Sequence, residues 1–203
     1  YTMIMGYPGR TTRFQTSPEL NFQIEQNDIR IAARTVRQDV MLEDMLADPD
    51  VDAVVIASSW DEHTRMAVAA MRAGKYTAVE VAGAYDLEDC WQLVRTYEET
   101  KTPIMLLENC CFDRFELLAT SLHRAGRFGE VVHCHGAYSH DLRDEIIGGY
   151  VNRHYRIDNY LRRNSENYPT HELGPIARLL GINRGNRMVS LVSVASKAAG
   201  LHA

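Results

Sequence analysis

The sequence predicts an α/β fold, and three observations carry that prediction. Between residues 41 and 107, apolar runs of strand length alternate with amphipathic helical stretches, the rhythm of a parallel sheet joined by helices. Beyond residue 110 the rhythm changes to helix, strand, a long polar and aromatic stretch, helix and strand, so a second domain of α+β type is expected there. No apolar run approaches the roughly 18 residues needed to span a bilayer, and the 203 residues have ordinary apolar and charged fractions.

Residues 51–57 form a continuous β-branched run suited to a strand buried on both faces. Residues 61–74 follow as a helix with Met66, Ala67, Ala70 and Met71 on one side, and Gly74 supplies the stop. A strand at 76–81, a helix capped by Asp86 and running to about Tyr97, and a strand at 104–107 complete the pattern. Right-handed crossovers make this a doubly wound sheet, with its ligand crevice at the carboxyl ends of the strands. The residues to inspect there are 58–63, 80–83 and 108–111.

After residue 110, a helix is expected over 112–125 with Gly126 as its stop, strands over 130–138 and 188–196, a polar and aromatic excursion over 141–167, and a helix over 170–180. Two strands cannot bury a sheet face by themselves, so this domain reads as incomplete, lacking later strands or hiding its edges in a homo-oligomer. The predicted division is 1–110 and 111–203.

The first forty residues are the least legible. A short strand at 2–5 leads into Gly6, Tyr7, Pro8, Gly9, Arg10 and Thr11, where Pro8 and Thr11 stand at positions a phosphate-binding turn gives to glycine. Arg34 follows Ile31-Ala32-Ala33, where an acid would be wanted to hold a ribose. These residues alone establish no nucleotide site.

A net charge of −5 argues against a nucleic-acid or anionic-membrane surface, because counterion release needs a basic footprint. No export leader is visible, which makes a cytoplasmic location the expectation. Cys90, Cys110, Cys111 and Cys134 show no framework spacing and read as free thiols. His133-Cys134-His135 puts two imidazoles on one face of a strand, but no further ligands stand at matching spacing, so no metal site is predicted.

The stretch Asn167-Tyr168-Pro169-Thr170-His171-Glu172-Leu173-Gly174-Pro175 is the strongest chemical signal. Pro169 biases Tyr168 away from helical dihedrals and Thr170 is a good cap, so Tyr168 and His171 project from a rigid corner suited to proton transfer. The bland alternative makes both hydrogen-bonded core residues.

Taken together, Asp48-Pro49-Asp50-Val51-Asp52-Ala53-Val54-Val55-Ile56-Ala57, Trp60, His63, Gly74 and Glu80 resemble the nucleotide-binding domain of the glucose-fructose oxidoreductase and inositol dehydrogenase family (Gfo/Idh/MocA). Leu107-Glu108-Asn109-Cys110-Cys111, Gly136-Ala137-Tyr138, His140-Asp141-Leu142-Arg143, Tyr155-Arg156, Asn159-Tyr160 and residues 167–175 resemble one branch of it, glycoside hydrolase family 109. The resemblance spans roughly residues 41–203. It implies a partial Rossmann-type parallel sheet followed by an incomplete α+β second domain, with bound NAD as cofactor. It also implies hydrolysis of an α-linked N-acetylhexosaminide by transient oxidation at C3, elimination and water addition.

Carried onto this chain, the resemblance makes Tyr138 and His171 the catalytic pair and Glu108, Arg156 and Tyr168 the substrate-binding residues. Ser58, Trp60, His63, Glu80, Asn109 and His140 become the cofactor-binding residues. A tyrosine is a poor base unless positive charge lowers its pKa, and Arg156 and the oxidised nicotinamide are the expected sources. Sugar dehydrogenases of the wider family carry Glu-Lys-Pro where Glu80 is here followed by Val81 and Ala82; valine moves no proton, which favours the glycosidase-like branch. A conventional NAD(P)-linked sugar or cyclitol dehydrogenase and a cofactor-free, sugar-binding remnant are the alternatives.

Overall fold

A computed structural model describes residues 3–4, 42–149, 151, 155–167 and 169–198. The chain divides after Leu107 into two compact units. The turn at Gly6 to Thr11, Arg34 and the whole of 5–41 lie outside the described residues.

The first unit is a parallel sheet with its connecting helices. Strands β1 (Met3–Ile4), β2 (Ala53–Ile56), β3 (Tyr76–Glu80) and β4 (Ile104–Leu107) lie side by side in chain order, every pairing parallel. Helix α1 (Leu42–Ala47) precedes β2, α2 (Trp60–Arg72) joins β2 to β3, and α3 (Leu87–Thr100) joins β3 to β4. Strand order does not reverse among the described residues, so the expected double winding is not displayed there. What is displayed is a run wound in one direction, with α2 and α3 packed against each other.

Burial follows from the cover that the described helices give. Along β2 only Val54 and Ile56 are fully buried, while Ala53 and Val55 are half-buried; the expectation of a strand buried on both faces is corrected to one face. Val54, Ile56 and Val79 meet Ala67 and Ala70 of α2 in the core, and Val51 closes it. Each such larger side chain contributes about 1.5–3 kcal/mol when fully buried. The buried positions of α2 (Trp60, His63, Thr64, Ala67, Ala70 and Met71) recur at helical spacing, and Gly74 at φ +73° ends the turn. Asp86 caps α3 by accepting from the Asp89 amide at 2.9 Å.

The second unit is helical. A 3₁₀ turn (Asn109–Phe112) leads into α4 (Arg114–Arg124), followed by two short helices, α5 (Arg143–Ile147) and α6 (Arg156–Arg162), and then α7 (Pro169–Leu179). Helix α7 packs on the 3₁₀ turn and on α4. Proline stands at the first position of α7, where its missing N–H costs nothing, so Thr170 lies inside the helix instead of capping it.

The expected strands at 130–138 and 188–196 are not formed: both segments run without ladder hydrogen bonds. Val132, Val189, Leu191, Val192 and Val194 stand largely exposed. Exposed apolar residues express a demand for cover, and no paired strand among the described residues meets it.

Candidate active site

Helix α7 is the platform of the site, and its sequence explains why. His171, Gly174 and Arg178 recur at three- and four-residue spacing, which aligns them on one helical face. That face meets the 3₁₀ turn: Arg178 donates to the Cys111 carbonyl at 3.1 Å, with its guanidinium 4.6 Å from the Phe112 ring centroid. Gly174 permits the approach, since a Cβ there would stand 2.8 Å from Glu108 Cγ and 3.2 Å from Cys111 Sγ. On another face of α7, Gly136 comes against Glu172 and Ile176, where a Cβ would meet Glu172 Cβ at 3.1 Å. Two residues later the chain delivers Tyr138.

The result is a buried acid–base pair. His171 Nδ1 lies 2.6 Å from Glu108 Oε1, and the two side chains are only 4% and 7% exposed. An ionised carboxylate only accepts, so Nδ1 carries the proton and donates, and the imidazole lone pair falls on Nε2. Glu108 also caps the 3₁₀ turn, accepting from the Cys110 amide at 3.0 Å. Burial pushes the Glu108 carboxyl up, but the neighbouring Thr170 hydroxyl, His171 and the Cys110 amide together hold it below its ordinary value. Thr170 Oγ1 and Glu108 Oε2 are both buried, and neither makes a hydrogen bond of good geometry.

Tyr138 lies over this pair. Its ring centroid is 4.3 Å from that of His171 and 4.6 Å from that of His140, and its hydroxyl shares a 2.5 Å hydrogen bond with His140 Nε2. The expected depression of the phenol by Arg156 is corrected. Burial leads in raising the Tyr138 pKa and the Cys110 sulfur adds to it, outweighing the lowering by Arg156. Absent a further cation, the Tyr138 phenol therefore holds its proton beside the His171 imidazole. A cavity of about 240 Å³ opens beside them, lined by Tyr138, Ser139, His140, Leu142, Tyr160, Glu166 and Asn167. Buried Asn159 donates from Nδ2 to Asn167 Oδ1, which orients the Asn167 amide at the cavity wall.

The other predicted positions are distributed as follows. Arg156 opens α6 with its guanidinium carbon 5.9 Å from the Tyr155 ring centroid. Asn109 is exposed and its amide reaches Cys110 Sγ at 3.9 Å. Tyr168 lies outside the described residues. In the first unit, Ser58 and Trp60 are buried where β2 passes into α2, and Glu80 ends β3, half-buried. His63 is 1% exposed, with Nδ1 2.9 Å from the Ala82 carbonyl and Nε2 3.0 Å from the Ser58 carbonyl. Each ring nitrogen faces a backbone carbonyl, and the one that carries the proton donates to its carbonyl, so His63 sits between the loops at the carboxyl ends of β2 and β3 and braces them.

Sequence reasoning missed Ala82, whose φ of +53° puts a non-glycine residue in the left-handed region beside that brace. It also passed over Tyr160 and Glu166 as cavity residues and the role of Gly174. The spacing of His171, Gly174 and Arg178 was the available signal.

Comparison with known proteins places this geometry. Residues 14–107 match the oxidoreductase family with an NAD-binding Rossmann fold, and residues 112–203 match the glycosyl hydrolase 109 C-terminal domain. The chain belongs to the glycosyl hydrolase 109 branch of the Gfo/Idh/MocA family. A family 109 protein from Solibacter usitatus is 44% identical over 163 residues, 80% of this chain and 37% of that protein. An alpha-N-acetylgalactosaminidase from Bacteroides fragilis is 45% identical over 157 residues, 75% of this chain and 37% of the relative. The chain thus spans about two fifths of the length of such family 109 relatives. A solved myo-inositol 2-dehydrogenase from Lactobacillus plantarum shares the fold at 17% identity and a TM-score of 0.53, over 82% of this chain and 46% of that one. Family membership makes the first unit a nucleotide-cofactor domain.

Proposed function

We propose that this chain serves NAD-dependent hydrolysis of an α-linked N-acetylhexosaminide, through transient oxidation at C3, elimination across C1 and C2, and addition of water. The observation that carries the reading is the buried Glu108–His171 pair with the Tyr138 ring tilted against the imidazole. Relatives that are alpha-N-acetylgalactosaminidases support the choice of sugar.

The residues of the first unit suit a nucleotide. Ser59 caps α2 without a side-chain hydrogen bond, and the positive end of the helix dipole at that turn favours a ligand's anionic oxygen. Ser58 and Trp60 flank that turn, and the Glu80 carboxylate can accept from ribose hydroxyls. Ser58, Trp60 and Glu80 would hold NAD, with His63 bracing their loops. Bound NAD would supply reversible acceptance of hydride from C3.

The second unit supplies the proton transfers. His171, oriented by its hydrogen bond to Glu108, takes the C2 proton on Nε2 once C3 is a ketone. Tyr138 takes the C3 hydroxyl proton as C3 becomes a ketone while passing its own to its hydrogen-bond partner His140 Nε2, and the two transfers reverse when C3 is reduced. The aglycone oxygen leaves C1 and takes a proton from solvent; when water adds, its hydroxyl goes to C1, its other proton to solvent, and His171 returns a proton to C2. Arg156 contributes fixed donors for hydroxyl or acetamido oxygens.

Turnover of a nitrophenyl α-N-acetylgalactosaminide in heavy water tests the reading. Deuterium is expected at C2 of the released sugar, with no accumulation of reduced cofactor. Release without deuterium at C2 would exclude elimination, and accumulating reduced cofactor would make the chain a dehydrogenase. His171→Ala and Tyr138→Phe should each lower kcat by about 10²–10⁴-fold with unchanged circular dichroism.

A further inference from the structure

Glu108, Cys110 and His171 offer a carboxylate oxygen, a sulfur and an imidazole nitrogen that all lie within 4.8 Å of one another. We infer that these three side chains form a binding site for a borderline-soft divalent cation of the zinc class, with a fourth position open to water.

Four observations converge on it. The donors are mixed S, N and O, the set zinc prefers and that magnesium and calcium, which require oxygen, do not. Glu108 is 5% exposed and its Oε2 has no hydrogen-bond partner, so a buried acceptor is available while Oε1 keeps the Cys110 amide. The donors also sit on ordered elements. Cys110 lies on the 3₁₀ turn that Glu108 itself caps, and His171 is on α7, held against that turn at Gly174. Lastly, no other group of three such donors gathers among the described residues; His133, Cys134 and His135, neighbours in sequence, form none.

Metal–donor distances of about 2.0–2.3 Å require the 2.6 Å His171–Glu108 contact to open slightly, with Nδ1 turning from the carboxylate to the cation. The Nδ1 proton relocates to Nε2, the Cys110 thiol releases one proton to solvent, and the cation gains a thiolate, a carboxylate and a neutral imidazole. No sequence spacing announces this set, because residues 108 and 171 meet only through the packing of α7. On the function proposed above, an occupied site removes both the base and its orienting carboxylate, so the cation would inhibit. The binding itself does not depend on that reading.

Cobalt(II) is the probe, added to the full chain under reducing conditions. One equivalent is expected to produce a near-ultraviolet thiolate-to-cobalt charge-transfer band that zinc displaces. The band should be lost in Cys110→Ser at concentrations that saturate the wild type, weakened in Glu108→Gln, and retained in Cys111→Ser and Cys134→Ser. Absence of a saturable band in the wild type, or its survival in Cys110→Ser, would overturn the site. The measurement needs neither NAD nor turnover, so a failed glycosidase reading leaves it intact.

Discussion

At Glu108 burial and hydrogen bonding pull in opposite directions, and the donors win: the carboxyl stays below its ordinary value of 4.5 despite being almost inaccessible. A group whose folded pKa lies below its unfolded one stabilises the fold above the unfolded value, and that contribution is lost as pH falls through the folded value. Glu108→Gln should therefore lower stability at pH 7 by about 1.5–3 kcal/mol, the worth of a buried hydrogen bond to a charged group. The variant should also lose less stability than the wild type as pH falls below 4.5. Urea unfolding at neutral pH and near pH 3.5 checks both statements, and parallel pH profiles for the two proteins would refute the second. His63 makes a related point elsewhere: its two nitrogens face the Ala82 and Ser58 carbonyls. A side chain's chemical type is visible in sequence, whereas the atoms that consume its valence come from loops 19 and 5 residues away.

Among the elements, α2, α3, β2 and β3 are legible for physical reasons. Their apolar periodicity matches their own geometry, and Gly74 and Asp86 mark boundaries by local rules. The stretches 130–138 and 188–196 are rich in β-branched and apolar residues yet form no ladder, because a strand needs a partner that local sequence does not supply. Helices α5 and α6 sit in a polar excursion whose periodicity is too short to read. Helix α7 shows how far local reasoning reaches: its existence follows from pattern, but its function as a platform follows from one missing Cβ. Gly174→Ala would press a methyl to 2.8 Å from Glu108 Cγ, and Glu108 is pinned by its backbone cap and by His171, so it has nowhere to yield. A loss of about 1–3 kcal/mol is expected from such overpacking, despite alanine's better helix propensity. A denaturation midpoint equal to or above the wild type would refute the close packing of α7 on the 3₁₀ turn.

For the molecule as a whole, the proposed function assigns separable parts of the chemistry to the two units: nucleotide binding to the unit that ends at Leu107 and proton transfer to the Glu108–His171 cluster of the next. Two units need not unfold together, so one melting temperature is a poor reporter of ligand binding, and site-resolved hydrogen exchange is the better one. Anything that binds only the folded state stabilises it by RT ln(1 + [L]/Kd), about 2.7 kcal/mol at a ligand concentration one hundred times Kd. NAD should therefore slow exchange most at residues 57–60 and 80–85, the loops that His63 braces and that contain left-handed Ala82. His63→Ala should weaken that protection by releasing both loops, even in conditions where the sheet keeps its own slow exchange. Saturating NAD with no added protection in either loop would remove the cofactor from the mechanism while leaving the Glu108–His171 pair as it stands.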